Sequence, residues 1–269
     1  MNKRSPIGVF DSGLGGLSIC RAIRDALPQE QLLYFADTAN NPYGNKSEQF
    51  LHQRAEQIVE FFSKRGCKAI VVACNTATVH SINKLRARFD IPVIGVEPGI
   101  KPAVKATRTG RVGVLATKQT LDSDSFARLK HQVYTDVNTD VEVIGQACPD
   151  FVALVESGRF DDTLTYETVI NYVQPLIEQN CDQIVLGCTH FSFLTEPISK
   201  LIAGKASIVD TSMAIALQLQ RRLQALELIN PDDIGSAMSF FSSDSLECSS
   251  NGLANCWPFE LNVARQVNF

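Results

Sequence analysis

The sequence lacks the features that would direct it to a membrane, an export route or a nucleic acid. No stretch approaches the roughly 18 consecutive apolar residues of a membrane-spanning helix. The apolar run in the N-terminal MNKRSPIGVF is also too short for a signal peptide. Runs of lysine and arginine are also missing, and the formal net charge is -4 over 269 residues. We therefore expect a soluble, cytoplasmic protein whose principal partner is a small molecule, not a nucleic acid or a membrane.

Paired cysteine spacings are absent as well. The eight cysteines are spread along the chain without a C-x-x-C pair, and no histidine accompanies Cys248 and Cys256. A structural zinc site is therefore not expected, and a chain without an export signal should keep its thiols reduced. Five cysteines are interpreted as structural: Cys20, Cys67, Cys181, Cys248 and Cys256.

Short runs of branched apolar residues alternate with longer helical patterns along most of the chain. This alternation is typical of β-α units and a mainly parallel sheet. Residues 46–66 place their apolar side chains on one helical face and end at Gly66, a suitable helix C-cap. Eight strands are predicted, at 6–10, 32–36, 69–73, 92–96, 111–115, 141–145, 183–187 and 207–210.

An internal duplication relates the two halves of the chain. The stretch that ends in Cys74 matches the stretch that ends in Cys188, and the strand that begins at Ile7 matches the one at Val112. We therefore expect two similar α/β domains with mainly parallel sheets facing a shared interdomain cleft.

The segment after the second half is too short to form a domain of its own. It contains a predicted helix at 213–226 and a Ser-, Asn- and Cys-rich stretch at 242–258 that is interpreted as loop. We expect it to return to the first half. The predicted domains are therefore residues 1–97 plus 210–269, and residues 98–209.

The two matched cysteines are the strongest indication of chemistry. Each follows a buried strand and precedes polar residues, Asn75-Thr76 in one case and Thr189-His190 in the other. Ligands collect at the carboxyl ends of parallel strands, and a helix N-terminus lowers the pKa of a thiol there. Two opposed thiols could remove a proton from one face of a carbon and return it on the other. The alternative is that duplication copied a core cysteine.

A glycine-rich stretch allows a second interpretation. The segment Asp11-Ser12-Gly13-Leu14-Gly15-Gly16 resembles a phosphate-binding loop, and Asp37 stands where a dinucleotide fold carries its ribose-binding acid. However, Ser18 replaces the third glycine of that motif, and an aspartate at the start of the loop would repel a pyrophosphate. Nucleotide binding is therefore the weaker interpretation.

Several motifs together give the chain a family resemblance. They span residues 7–210 and comprise Phe10-Asp11-Ser12-Gly13-x-Gly15-Gly16, Pro42-Tyr43-Gly44, Cys74-Asn75-Thr76-Ala77, Cys148-Pro149, Leu154-Val155-Glu156 and Gly187-Cys188-Thr189-His190. With these motifs the chain resembles the glutamate racemases of bacterial cell-wall synthesis, which belong to the aspartate/glutamate racemase family.

The resemblance implies racemisation of L- and D-glutamate without cofactor or metal, in a cytoplasmic protein that commonly forms homodimers. It implies that Cys74 acts on D-glutamate with help from Asp11, and that Cys188 acts on L-glutamate with help from Glu156 and His190. The implied substrate-binding residues are Asp11, Ser12, Tyr43, Gly44, Asn75, Thr76, Thr120, Thr189 and His190.

Two alternatives stay open at this point: an aspartate racemase with the same chemistry, and a binding protein that has lost turnover. The chain also departs from the family pattern at Ser192-Phe193, where Pro-Leu is usual, and at Phe126, where Tyr is common. Because no cofactor would stabilise the carbanion, the implied mechanism requires closure of the domains around the substrate.

Overall fold

A computed structural model describes residues 2–137, 140–232, 238–245, 252–261 and 263–267. All neighbouring strands in these ranges pair in parallel, which confirms the predicted α/β class. Each of the eight predicted strands is present. Their bounds are β1 Ile7–Asp11, β2 Leu32–Ala36, β3 Ala69–Val72, β4 Val93–Gly95, β5 Arg111–Ala116, β6 Glu142–Ala147, β7 Gln183–Leu186 and β8 Ser207–Val209.

Helices cover the sheets and connect successive strands. The helix predicted at 46–66 runs over Glu48–Lys64, where Ser47 caps its N-terminus by accepting a bond from Phe50 N, and Gly66 follows with φ 71°. The bounds are α1 Leu17–Ala26, α2 Glu48–Lys64, α3 Asn75–Arg88, α4 Ile100–Ala106, α5 Lys118–Leu121, α6 Asp124–Val137, α7 Pro149–Glu156, α8 Thr163–Glu178, α9 Thr195–Ile202 and α10 Ser212–Ala225. No helix in the described ranges is long and apolar enough to cross a membrane.

The two sheets repeat one topology. Four strands of the first sheet are ordered β2-β1-β3-β4, and the second sheet is ordered β6-β5-β7-β8. The register repeats too, because Ile7 lies opposite Ala69 in the first sheet and Val112 lies opposite Gln183 in the second. These are the same positions that the sequence duplication aligns, so the expectation of two similar α/β halves is confirmed.

The C-terminal part of the chain extends the first sheet. Strand β9, Met238–Ser242, pairs with β2, and β10, Val263–Gln266, pairs with β9. The interpretation of 242–258 as loop was therefore wrong at both ends, since β9 includes residue 242 and residues 252–256 are helical. Cys248 lies outside the described residues, and the domain boundaries near 97 and 210 stay a prediction.

A buried ion pair joins this returning segment to the first sheet. Lys68 Nζ lies 2.5 Å from Glu30 Oε2, and both side chains are fully buried. Lys68 Nζ also donates to the carbonyl oxygen of Lys3. The other carboxylate oxygen of Glu30 accepts a 2.9 Å bond from the backbone of Asn230, just beyond α10. The pair thus ties four separate stretches of chain together, at residues 3, 30, 68 and 230.

Candidate active site

The carboxyl ends of β1, β3 and β7 bring together the polar residues predicted from the sequence. Asp11 ends β1, Cys74 follows β3 at the start of α3, and Cys188 follows β7. A 3₁₀ helix, Thr189–Leu194, begins directly after Cys188. The two cysteines are 5% and 8% exposed. The site is therefore closed to all but a small amount of solvent.

Asp11 connects the two halves of the site. Its carboxylate accepts bonds from the backbone N–H groups of Ser12 (2.8 Å) and Gly16 (2.6 Å), which belong to its own turn. From the second sheet, Thr189 Oγ1 donates to Asp11 Oδ2 at 3.1 Å, and His190 Nδ1 lies 3.9 Å from the same oxygen. Burial raises the pKa of Asp11, although the His190 charge and the bonds from Ser12 and Gly16 partly oppose that rise.

Cys74 is the N-cap of α3, and its thiol is kept protonated by its surroundings. Its Sγ accepts a 3.5 Å bond from Ala77 N, which favours the thiolate, as expected for a helix N-terminus. Burial and the negative charge of Asp11 outweigh this bond and raise the pKa of Cys74 well above its ordinary value. The expectation of a lowered thiol pKa at the helix N-terminus is therefore not met at Cys74.

Cys188 has a different set of partners. Its Sγ lies 3.7 Å from His190 Nδ1, and the other ring nitrogen of His190 lies 2.6 Å from Glu156 Oε1. The same carboxylate oxygen accepts a 2.8 Å bond from the backbone of Leu14, in the turn that follows β1. Burial alone would lower the pKa of His190, but its bonds to Cys188 and Glu156 and the charge of Asp11 raise it well above its ordinary value.

Hydroxyl groups from both halves meet beside Cys74. Thr76 Oγ1 lies 3.1 Å from Thr117 Oγ1 and 3.2 Å from Thr120 Oγ1. The buried Nδ2 of Asn75, the residue before Thr76, has no hydrogen-bond partner among the described residues. An unpaired buried amide donor is costly, and a carboxylate would satisfy it. Thr117, which is not among the residues predicted from the sequence, joins them here.

The loop that carries Tyr43 and Gly44 is fixed by a buried aspartate. The hydroxyl of Tyr43 donates to Asp37 Oδ2 at 2.5 Å, and Arg54 binds both carboxylate oxygens of Asp37 at 2.6 and 2.9 Å. Asp37 is thus fully engaged within the protein, which removes it as a ribose ligand. Gly44 lies against Thr117, since a Cβ at Gly44 would be 3.2 Å from Thr117 Cβ.

Comparison with known proteins assigns the family. The profile of the family described as Asp/Glu/Hydantoin racemase matches residues 7–219. The chain belongs to that family. Among its racemases, the glutamate racemase of Methylococcus capsulatus is 46% identical over 94% of this chain and 92% of the relative.

Solved racemase structures have the same fold over the whole chain. Glutamate racemase from Thermus thermophilus, in complex with beta-chloro-D-alanine, has a TM-score of 0.85 at 33% identity and covers 100% of this chain and 99% of its own. Escherichia coli glutamate racemase, in complex with L-glutamate and the activator UDP-MurNAc-ala, has a TM-score of 0.85 at 31% identity and covers 98% of each chain. The resemblance to glutamate racemases and the fold class predicted from the sequence are both confirmed.

The departures from the usual racemase pattern lie around the site, not in it. Phe126 is buried in the core of the second half. Phe193 stacks on Phe160 at 5.6 Å between ring centroids, and the guanidinium of Arg21 lies 5.2 Å from its centroid. In the part of the chain that the structure describes, no group of three or more His, Cys, Asp or Glu side chains could hold a metal ion.

Proposed function

We propose that this chain interconverts L- and D-glutamate by proton transfer between two thiols, without a cofactor. The observation that carries the proposal is a closed site with two buried cysteines in matched turns of two matched sheets. The high identity to curated glutamate racemases supports glutamate over aspartate as the substrate.

In the proposed reaction each cysteine accepts a proton in one direction and donates a proton in the other. With L-glutamate, the Cys188 thiolate removes the Cα proton and the Cys74 thiol donates its own proton to the opposite face of the carbanion. With D-glutamate the roles are exchanged. The transferred charge is balanced at each step, because one cysteine becomes neutral as the other becomes a thiolate.

The surroundings of the thiols favour one of these two protonation states before substrate binds. Burial alone would lower the pKa of His190, but its bonds to Cys188 and Glu156 raise it, and a ring N–H 3.7 Å from Cys188 Sγ can donate to a thiolate formed there. Burial and the charge of Asp11 raise the pKa of Cys74, which favours its protonated form. This arrangement suits proton removal from L-glutamate by Cys188, and we propose that an α-ammonium group bound near Asp11 stabilises the Cys74 thiolate that results.

The carbanion is stabilised by preorganised donors. We assign the substrate α-carboxylate to Asn75, Thr76 and Thr120, because Asn75 and Thr76 follow Cys74 in the first turn of α3, the buried amide of Asn75 lacks a partner, and Thr120 Oγ1 lies 3.2 Å from Thr76 Oγ1. Donors fixed before the reaction lower the barrier most effectively in a site that excludes water. Ser12, Tyr43, Gly44 and Thr189 complete the proposed pocket.

Substrate entry requires the two halves to move apart, since both thiols are buried. Solution scattering with and without glutamate, combined with hydrogen exchange, tests this requirement. Because entry requires the free protein to open in solution, compaction and slower exchange are expected when bound glutamate holds the closed arrangement. If both measurements are unchanged by saturating glutamate, closure around the substrate is ruled out.

Proton NMR in heavy water tests the reaction itself. The wild-type protein should exchange the Cα proton of both glutamate enantiomers and invert them, whereas Cys74→Ser and Cys188→Ser should each lose inversion. Exchange of aspartate but not glutamate would assign an aspartate racemase. Tight binding of glutamate without any exchange would assign a binding protein.

The wider role follows from the same proposal. We propose that the product D-glutamate serves bacterial cell-wall synthesis, in the cytoplasm where its precursors are assembled. A homodimer stays a prediction, and sedimentation of the purified protein measures it.

A further inference from the structure

A short segment between β9 and β10 packs against the candidate active site. We name residues 252–261 the C-terminal strap; its first five residues, 252–256, are helical. Cys256 and Trp257 are buried at 0% and 3% exposure. The strap is therefore a packed element, although the sequence predicts loop as far as residue 258.

The strap is bonded to both sides of the site. Arg21 of α1 donates from Nη2 to the carbonyl oxygen of Asn255 at 3.0 Å, and the guanidinium of Arg24 lies 4.0 Å from the ring centroid of Phe259. On the other side, Asn255 Nδ2 donates to the carbonyl oxygen of Gly158 at 3.0 Å. Gly158 follows α7 by two residues, so the strap holds α1 and the end of α7 together.

The closest approach is between Gly252 and Glu156. A Cβ added at Gly252 would overlap the carbonyl oxygen of Glu156, and would lie 3.0 Å from its carbonyl carbon and 2.7 Å from Leu14 Cδ1. The overlapping atoms of Glu156 are backbone, which cannot rotate away as a side chain can. The φ of Gly252 lies outside the left-handed region, so space, not backbone conformation, requires glycine here.

Glu156 is thus held from two directions. Its carboxylate is fixed by Leu14 N and His190 Nε2, and its peptide group lies against Gly252. The distance from His190 to Glu156 depends on where the end of α7 sits, and the strap sets that position.

We infer that Gly252 is a positioning residue for the Glu156–His190–Cys188 group. Because Gly252 packs against the end of α7, it places the Glu156 carboxylate at hydrogen-bonding distance from His190. This contact favours the charged imidazole beside Cys188. The inference rests on the proposed racemase activity, because only that activity makes the charge on His190 matter for turnover.

The variant Gly252→Ala tests the inference through the kinetics with L-glutamate. A displacement of about 1 Å in a catalytic group can cost about 10²-fold in rate, so we expect kcat to fall by about that factor with a smaller change in KM. The basic limb of the pH profile should also move to lower pH, because a loosened Glu156 bond lets His190 lose its proton sooner. Ala254→Ser, which adds one atom to an exposed part of the same helix, serves as the matched control and should behave as wild type.

A double-mutant cycle separates positioning from a general loss of structure. If Gly252 acts through Glu156, the substitution should have little further effect in a Glu156→Gln background. An equal loss in both backgrounds, or an unshifted pH profile, overturns the inference.

Two controls keep the test decisive. Should Gly252→Ala not fold, Asn255→Ala removes the strap's bond to Gly158 without adding bulk, and it must then shift the pH profile in the same direction for the inference to survive. An inactive wild type refutes the proposed function itself, whereas an active wild type with unaffected variants refutes only the role of the strap.

Discussion

The bond between Glu156 and His190 offers the most direct test of how the Cys188 side works. The variant Glu156→Gln keeps the size of the side chain and an oxygen that can accept from both Leu14 N and His190 Nε2, as Glu156 Oε1 does. What it removes is the negative charge. Any change it causes therefore reports on the electrostatic support of the imidazolium.

The size of the effect follows from the geometry. A unit charge about 4 Å from another is worth about 4 kcal/mol at an effective dielectric constant of about 20. The Glu156 side chain is 20% exposed, so we take about half of this, about 2 kcal/mol, to allow for solvent screening. That corresponds to about a 30-fold loss of kcat with L-glutamate in the pH range where the wild-type His190 is charged and the variant's is neutral.

The same pair should make stability depend on pH with a definite sign. The pKa of His190 is raised on folding, so its contribution is complete below about pH 6.5, the value of a free histidine, and is lost as the pH rises through the folded value. Glu156→Gln should therefore be less stable than wild type near neutral pH by about 2 kcal/mol, estimated from the same screened charge pair. The two proteins should converge at high pH.

Two measurements decide the outcome. An NMR titration of the histidine ring protons, assigned with a His190→Gln variant, gives the midpoint for His190, and initial rates across pH give the kinetic profile. Because the two enantiomers are equally stable, kcat/KM must fall equally in both directions. Effects that are specific to the Cys188 side are therefore measured as α-deuterium isotope effects. If neither the His190 midpoint nor the basic limb moves to lower pH in Glu156→Gln, the electrostatic reasoning is wrong.

Three further substitutions test the parts of the fold that support the site. Asp37→Asn should destabilise the protein by about 3 kcal/mol at neutral pH through loss of a buried charge pair. Although burial raises the pKa of Asp37, its bonds to Arg54 lower it overall. In urea titrations the stability difference between wild type and variant should therefore shrink below about pH 4. Lys68→Met leaves Glu30 buried without its counter-charge and should cost about 3–5 kcal/mol in urea denaturation. Phe193→Leu removes one ring stack and should cost about 1 kcal/mol, measured as a lower melting temperature with unchanged kcat.

Controls for these three predictions come from the same chain. Asp90→Asn and Lys64→Met alter exposed charges and should change stability by no more than about 0.5 kcal/mol. A difference between Asp37→Asn and wild type that grows on acidification contradicts the first prediction. Wild-type stability of Lys68→Met contradicts the second, and a loss of kcat in Phe193→Leu contradicts the third.

The sheets could be predicted because their strands carry their own signal. Runs such as Ala69–Val72 are buried on both faces, so they are apolar throughout and stand out from the amphipathic helices between them. Strand β9 carries a weaker signal, since two serines interrupt MSFFS, and it forms because β2 offers it an open edge. The strap likewise depends on the burial of Cys256 and Trp257, which no local pattern reveals.

The candidate site divides along similar lines. Cys74 and Cys188 could be found because duplication placed them at equivalent positions. The role of Asp37 could not, because a strand-end aspartate looks the same whether it binds a ribose or an arginine 17 residues later. The raised pKa of Cys74 could not be predicted from the sequence either. The helix effect on a thiol is local and predictable, whereas burial and the charge of Asp11 arise only in the folded protein.

The repeated topology of the two sheets bears on how a chiral protein handles two mirror-image molecules. Both sheets are made of L-residues with the same strand order and register, so neither half can be the reflection of the other. The enantiomers of the proposed substrate are related only by reflection. The two enantiomers must therefore be distinguished by the different neighbours of the two thiols, an aspartate beside Cys74 and a histidine–glutamate pair beside Cys188. The free-energy profile of the proposed reaction is therefore asymmetric, even though the L and D enantiomers have equal free energy.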